Sequence, residues 1–239
     1  MRISRAAIKQ NAKSIITTAK PNPILVGLAF LAVTYVLQFL SYTVSGQYQA
    51  YTKMMDQMMA GNLDYVPQLP HINAGGVAII IAILLMLIML GTGFTIYCMN
   101  VCQFRKAGFG NLLDGFAIFF KVLWLNILML ILIYLWTLLL IIPGIIAAYR
   151  YRMALYIMID NPHMTALECI TASKQMMKGR KGELFVLDLS FIGWYLLTLF
   201  PFVAIWVTPY TSVTYTNYYL ALRDMPQAGF GQQFPNQAQ

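Results

Sequence analysis

The sequence predicts an all-α, polytopic membrane helix bundle of about six transmembrane helices arranged as three hairpins, and three observations carry that prediction. Of 239 residues, 59% are hydrophobic and only 10% are charged, more apolar surface than a soluble domain of this size can hide. The apolar residues fall in runs of about 20, the length needed to cross the hydrocarbon. The basic residues cluster in the short polar segments between those runs. In bacterial inner membranes Lys and Arg of short loops stay cytoplasmic, so an even number of crossings must separate any two such clusters.

The first segment, 1–22, carries Arg2, Arg5, Lys9 and Lys13 as one stripe of a helix, with Ile8, Ala12, Ile15 and Ala19 beside them. It reads as an interfacial amphipathic helix that anchors the first crossing on the cytoplasmic side or recognises anionic lipid. Pro23 to Gly46 is the first span. It is too long for a signal peptide and no small-residue cleavage pattern follows it. Gln47 to Gly76 reads as an outside loop with a short helix, and Val77 to Asn100 as the second span. Arg105 and Lys106 return the chain to the cytoplasm, and span three runs from about Phe116 to Ile142. Pro143-Gly144 is then expected to reverse the chain, because the basic cluster that follows demands a return crossing through Ile145 to Asp160. Leu184 to Trp206 and Thr208 to Leu222 form the last pair, broken at Pro209. The membrane domain is thus 23–224, and the tail, 225–239, rich in Gln, Pro, Gly and Phe, is expected to be disordered in the cytoplasm.

A cytoplasmic helix at about 164–179 separates spans four and five. Asn161-Pro162 breaks the chain, Thr165-Ala166-Leu167-Glu168 is a capping box, and Gly179 supplies the stop. Ala166, Cys169, Ile170, Ser173, Met176 and Met177 share one face, while Glu168, Thr171, Lys174, Gln175 and Lys178 share the other. Lys174, Lys178, Arg180 and Lys181, like the N-terminal cations, are candidate contacts for anionic headgroups. Pro143 with Tyr149 and Pro209 with Tyr215, both six residues apart, form a weak echo that is compatible with an internal duplication.

Asp160-Asn161-Pro162, Ser173, Met177-Lys178-Gly179, Leu189-Ser190-Phe191-Ile192-Gly193-Trp194 and Pro209-Tyr210 resemble the bacterial integral-membrane family known as domain of unknown function nine-seven-five. With Ile8-Lys9-Gln10-Asn11-Ala12-Lys13 included, the resemblance extends over almost the whole chain. Ile142-Pro143-Gly144-Ile145 with a later Lys-Gly is similar, more loosely, to other small six-span bacterial proteins and to membrane regions attached to some glycerophosphodiester phosphodiesterases. The resemblance implies a multi-span plasma-membrane protein of Gram-positive type, while the count of six crossings puts both termini in the cytoplasm. It brings no activity and no catalytic residue.

Arg150 and Arg152 are the costliest residues in the chain, because both fall near mid-membrane in span four. They point about 200° apart on a helix, so a single partner can take only one of them. Asp188, one turn into span five, is the obvious acid, and Tyr215 and Asn217 belong to a last span too polar to face lipid all round. These five residues form either a polar site for an anionic ligand or lipid headgroup, or a structural Arg150–Asp188 or Arg152–Asp188 pair. Met54, Met55, Met58 and Met59 occupy adjacent rows of the outside helix and read as an ordinary apolar face, with Cu(I) binding by their thioethers as the weaker alternative. Three cysteines and two histidines, with no phosphate-cradling glycine loop, support neither zinc nor a catalytic triad nor nucleotide binding. The expected protein is therefore non-enzymatic and cofactor-free, an accessory or lipid- and envelope-associated membrane protein. A small transporter or immunity-type exporter of an anionic or amphipathic molecule is the rival reading. Expected partners are membrane lipids with anionic headgroups, a membrane protein or a second copy of the chain; nucleic acid is not expected, because the net charge of +8 lies beside apolar segments.

Overall fold

The computed structural model describes residues 4–62, 64–68, 70 and 72–225. Arg2 and His71 lie outside the described residues, as does the tail from 226 onward. The described residues form helices and connections, with no strand among them.

Helix α1 (Arg5–Thr18) starts at Ser4, whose Oγ accepts from the Ala7 amide at 3.4 Å. Its apolar stripe does not wait for lipid: Ile8, Ala12 and Ile15 are buried against the helix bundle, chiefly its last helix. The expected interfacial helix is thus clasped by protein, because the bundle presents a matching apolar face. Helix α2 (Pro23–Val44) begins with the Asn22 carboxamide oxygen accepting from Ile24 at 2.8 Å and with proline in the first turn, where its missing N–H costs nothing. Gly46, at φ 73°, turns the chain into α3 (Gln47–Met59), which buries no residue. Helix α4 (Ala74–Cys102) is 29 residues long and capped by Asn73. Helix α5 (Asn111–Ala117) packs on it backbone to backbone: a Cβ on Gly93 would lie 2.7 Å from the Asn111 carbonyl oxygen, and one on Gly115 2.9 Å from the Gly93 nitrogen.

Helix α6 (Phe119–Leu139) ends at Leu140, which is extended, and α7 (Ile141–Tyr151) folds back against α6. The reversal therefore falls at Leu140 and not at Pro143-Gly144. Pro143 sits in the first turn of α7, where proline is tolerated. Gly144 permits the tight corner, since a Cβ there would meet Thr137 Cα at 2.9 Å. The stretch expected to be span four is broken between Arg152 and Met153, after which α8 (Ala154–Asp160) continues. Ser173 bridges that break from α9 (Ala166–Met176), donating to the Arg150 carbonyl at 2.7 Å and accepting from the Met153 amide at 3.2 Å. The α9 capping box and the buried face of Ala166, Cys169, Ile170, Ser173, Met176 and Met177 are as the sequence predicts, and Gly179 turns at φ 77°.

The expected fifth span is divided into α10 (Lys181–Leu189) and α11 (Ile192–Leu197), and the chain turns again at Thr198–Phe200. Pro209 does not break the last pair; it lies inside α12 (Pro201–Arg223). There its ring packs against α2, where a Cβ on Gly27 would touch it at 3.3 Å. Thr211 donates back to the Val207 and Thr208 carbonyls at 2.9 and 3.1 Å, so local hydroxyl bonding supports the turn that proline weakens. Every residue from Val213 to Tyr219 is buried, which makes α12 the central post of the molecule, flanked by α1, α2, α4 and α11.

Among the described residues three helices, α2, α4 and α6, are long and apolar enough to cross a membrane by length and composition. Their outward faces, including Val36, Phe39, Ile81, Leu84, Leu130 and Leu135, are exposed.

Candidate functional site

Asp188, near the end of α10, gathers side chains from three other helices. Tyr215 of α12 donates to its Oδ1 at 2.6 Å, and Tyr149 of α7 donates to Oδ2 at 2.9 Å. Arg152, just past the end of α7, reaches the same Oδ2 with Nη1 at 3.4 Å and lies over the Tyr215 ring, 4.9 Å from its centroid. The Tyr195 hydroxyl of α11 is 3.2 Å from that of Tyr215. Helical spacing explains the convergence: Tyr149 and Arg152 are three residues apart and share a face. The Asp188 side chain is 19% exposed and that of Arg152 41%. The pair thus sits at a mouth and not in the dry core.

These groups floor an open groove of about 500 Å³ whose remaining walls are Phe185, Leu189 and Ile192. The volume lies in the range of about 300–1,000 Å³ usual for small-molecule sites. One wall is polar and carries both charges; the other is hydrocarbon.

Of the residues singled out in the sequence, the structure brings together Arg152, Asp188 and Tyr215. Arg150 is elsewhere: its carbonyl takes the Ser173 hydroxyl, and its guanidinium has no ion-pair partner among the described residues. Asn217 is two residues, and so about 200°, from Tyr215. It shares a face with Val213 and Leu220, which pack with α1 and α4, and its amide nitrogen is buried without a hydrogen-bond partner among the described residues. Tyr149, Tyr195 and Phe185 were not singled out as site residues. The only trace of Tyr149 in the sequence is the Pro143/Tyr149 and Pro209/Tyr215 echo, whose two tyrosines meet on one carboxylate.

A second polar cluster lies two turns further along α12. Arg223 Nη1 and the Tyr219 hydroxyl both bond Asp160 Oδ2 at 3.0 Å, and the Tyr219 ring stacks on Tyr156 at 5.4 Å. The basic residues are only partly free for headgroups. Lys9 lies 4.3 Å over the Phe191 ring, and burial, followed by the Arg5 and Lys13 charges, lowers its pKa. Lys174 approaches the Tyr151 ring at 5.6 Å and Arg180 pairs with Glu183 at 3.6 Å, while Arg5, Lys13 and Lys178 are exposed. Lys181 is half-buried at the start of α10. Met55, Met58 and Met59 of α3 are exposed and Met54 is half-buried; they share their arc with Tyr48 and Tyr51. No group of three or more His, Cys, Asp or Glu placed to hold a metal occurs among the described residues.

The architecture is that of an all-α protein with helices able to cross a membrane. Residues 137–225 match the model of a family described as Protein of unknown function (DUF975). The resemblance read from the sequence holds over that stretch, which contains every residue of the Asp188 groove; Ile8 to Lys13 lie outside it. No curated protein and no solved structure matches the chain.

Proposed function

We propose that this chain is a bacterial plasma-membrane protein of six crossings with both termini cytoplasmic, acting without catalysis in association with membrane lipid. The broken pairs α7–α8 (Ile141–Asp160) and α10–α11 (Lys181–Leu197) serve as the fourth and fifth crossings. Their 20 and 17 residues cover about 30 and 25 Å as helix. The polar α12 is the sixth, and its neighbours bury its polar stretch from Val213 to Tyr219. The observation that carries the functional reading is the half-exposed Arg152 at the mouth of a groove with one hydrocarbon wall. An arginine in that position needs an anionic partner or water, and the apolar wall fits the chain of an amphiphile.

Native mass spectrometry of protein extracted in its own lipids tests this. A discrete bound amphiphile is expected on wild type and on Arg150→Ala, and its loss on Arg152→Ala. Equal binding by all three proteins, or none by any, would leave Arg152 as a strut between helices and remove the lipid reading.

Transport of an amphipathic molecule is favoured by a separate observation. The two carboxylates Asp188 and Asp160 flank α12 on one hydroxyl-rich face, Tyr215 bonding the first and Tyr219 the second. Water accessibility of Tyr215 from both sides of the membrane is the expected signature, read by cysteine labelling at that position.

A further inference from the structure

We infer that the Asp188 groove takes a zwitterionic headgroup, with the phosphate or carboxylate of the ligand on Arg152 and its ammonium on Asp188, the acyl chain lying along Phe185, Leu189 and Ile192. The inference rests on the lipid-association reading above and names the headgroup class that reading leaves open.

The argument begins with charge. The groove holds one guanidinium and one carboxylate, and the contact between them is single and long at 3.4 Å, where a tight charge-assisted bond is about 2.7–2.9 Å. Of the five guanidinium donors, one reaches Asp188, and the side chain is 41% exposed at the mouth. The carboxylate is held more firmly, by Tyr215 at 2.6 Å and Tyr149 at 2.9 Å, so it stays in place when Arg152 turns to a ligand. An anion alone would set a second negative charge beside Asp188 between low-dielectric walls, and a cation alone would do the same to Arg152. A ligand bearing both signs pairs each charge and keeps the site neutral.

The lining supports the cationic half independently. Tyr149, Tyr195, Tyr215 and Phe185 line the same groove as Asp188, and aromatic rings attract an ammonium through their faces in addition to the charge of the carboxylate. The source is the bilayer, because the apolar wall continues outward through exposed Phe185, Leu189, Ile192 and Leu196 along α10 and α11.

The experiment compares three single-chain amphiphiles of equal tail, dodecylphosphocholine, dodecyl phosphate and dodecyltrimethylammonium, titrated onto the full chain in maltoside micelles. Wild type is expected to bind the zwitterion about tenfold or more tighter than either singly charged probe, a difference readily resolved in such a titration. Asp188→Asn should shift the preference to the phosphate, and Arg152→Gln to the ammonium. Leu189→Trp alters an exposed position, so it should fold normally, fill the groove and abolish binding of all three. Equal binding of the three probes by wild type, or a preference unmoved by either charge variant, overturns the headgroup assignment while leaving lipid association standing. Failure of all three to bind overturns both.

Discussion

Ser173 holds the break between α7 and α8 closed from outside, giving its hydroxyl hydrogen to Arg150 and taking the Met153 amide in return. It is fully buried. Ser173→Ala would strand a backbone donor and a carbonyl in the interior and is expected to cost about 1–3 kcal/mol, measured by thermal unfolding in detergent. Tyr215 and Tyr195 make a sharper contrast at the groove. Tyr215→Phe removes the shortest bond to Asp188 and is expected to cost about 1–2 kcal/mol, in line with hydroxyl bonds to charged groups and within membranes. Tyr195→Phe loses only a 3.2 Å hydroxyl contact and should be near neutral. If the two variants melt alike, Asp188 is not anchored as described. The choice between Arg150 and Arg152 also belongs to this scale. Helical geometry says that one partner suits only one of them, but which one depends on how α7 is rotated against α10.

At the scale of elements, α4 and α5 are joined through two glycines. Gly93→Ala places a methyl against the Asn111 and Leu112 carbonyls of α5 and should cost about 1–3 kcal/mol or more through overpacking. Gly182→Ala, with nothing near its Cβ position, should be neutral or slightly stabilising, and equal melting temperatures for the two would remove the close-packing account. The α9 cap has a pH signature. The Thr165 amide donates to Glu168 at 2.7 Å and holds the carboxyl pKa below its ordinary value, the backbone bond being the largest cause. A carboxyl depressed in the folded state contributes stability above its unfolded pKa, about 4.3, and loses it as pH falls through the folded value. Wild type should therefore exceed Glu168→Gln in melting temperature at neutral pH, with the gap closing in acid. A gap that does not change with pH would show that the carboxylate charge contributes nothing to the cap. This helix was readable from sequence in nearly every respect, because a capping box, an apolar face and a terminal glycine are all local signals.

For the whole molecule, the proposed topology places Asp224 on the cytoplasmic side and Lys53 of α3 on the other. Impermeant thiol reagent applied to intact cells should label a cysteine at position 53 and spare one at 224; labelling of 224 would break the parity on which the six crossings rest. The sequence by itself determined the all-helical class, the helices α2, α4 and α6, and the amphipathic α1 and α9, since composition, run length and periodicity are properties of contiguous residues. Tertiary structure decided where the chain turns and what meets what. Pro143 and Pro209 read alike as breakers, yet one opens α7 and the other is carried inside α12 against Gly27. A proline's effect depends on whether neighbouring helices fill the space and satisfy the backbone around it. The reversal fell to Leu140, and α1 was drawn onto α12, for the same reason. The groove could not be read beyond Arg152, Asp188 and Tyr215, because Tyr149, Tyr195 and Phe185 are brought to it only by the packing of α7, α10, α11 and α12.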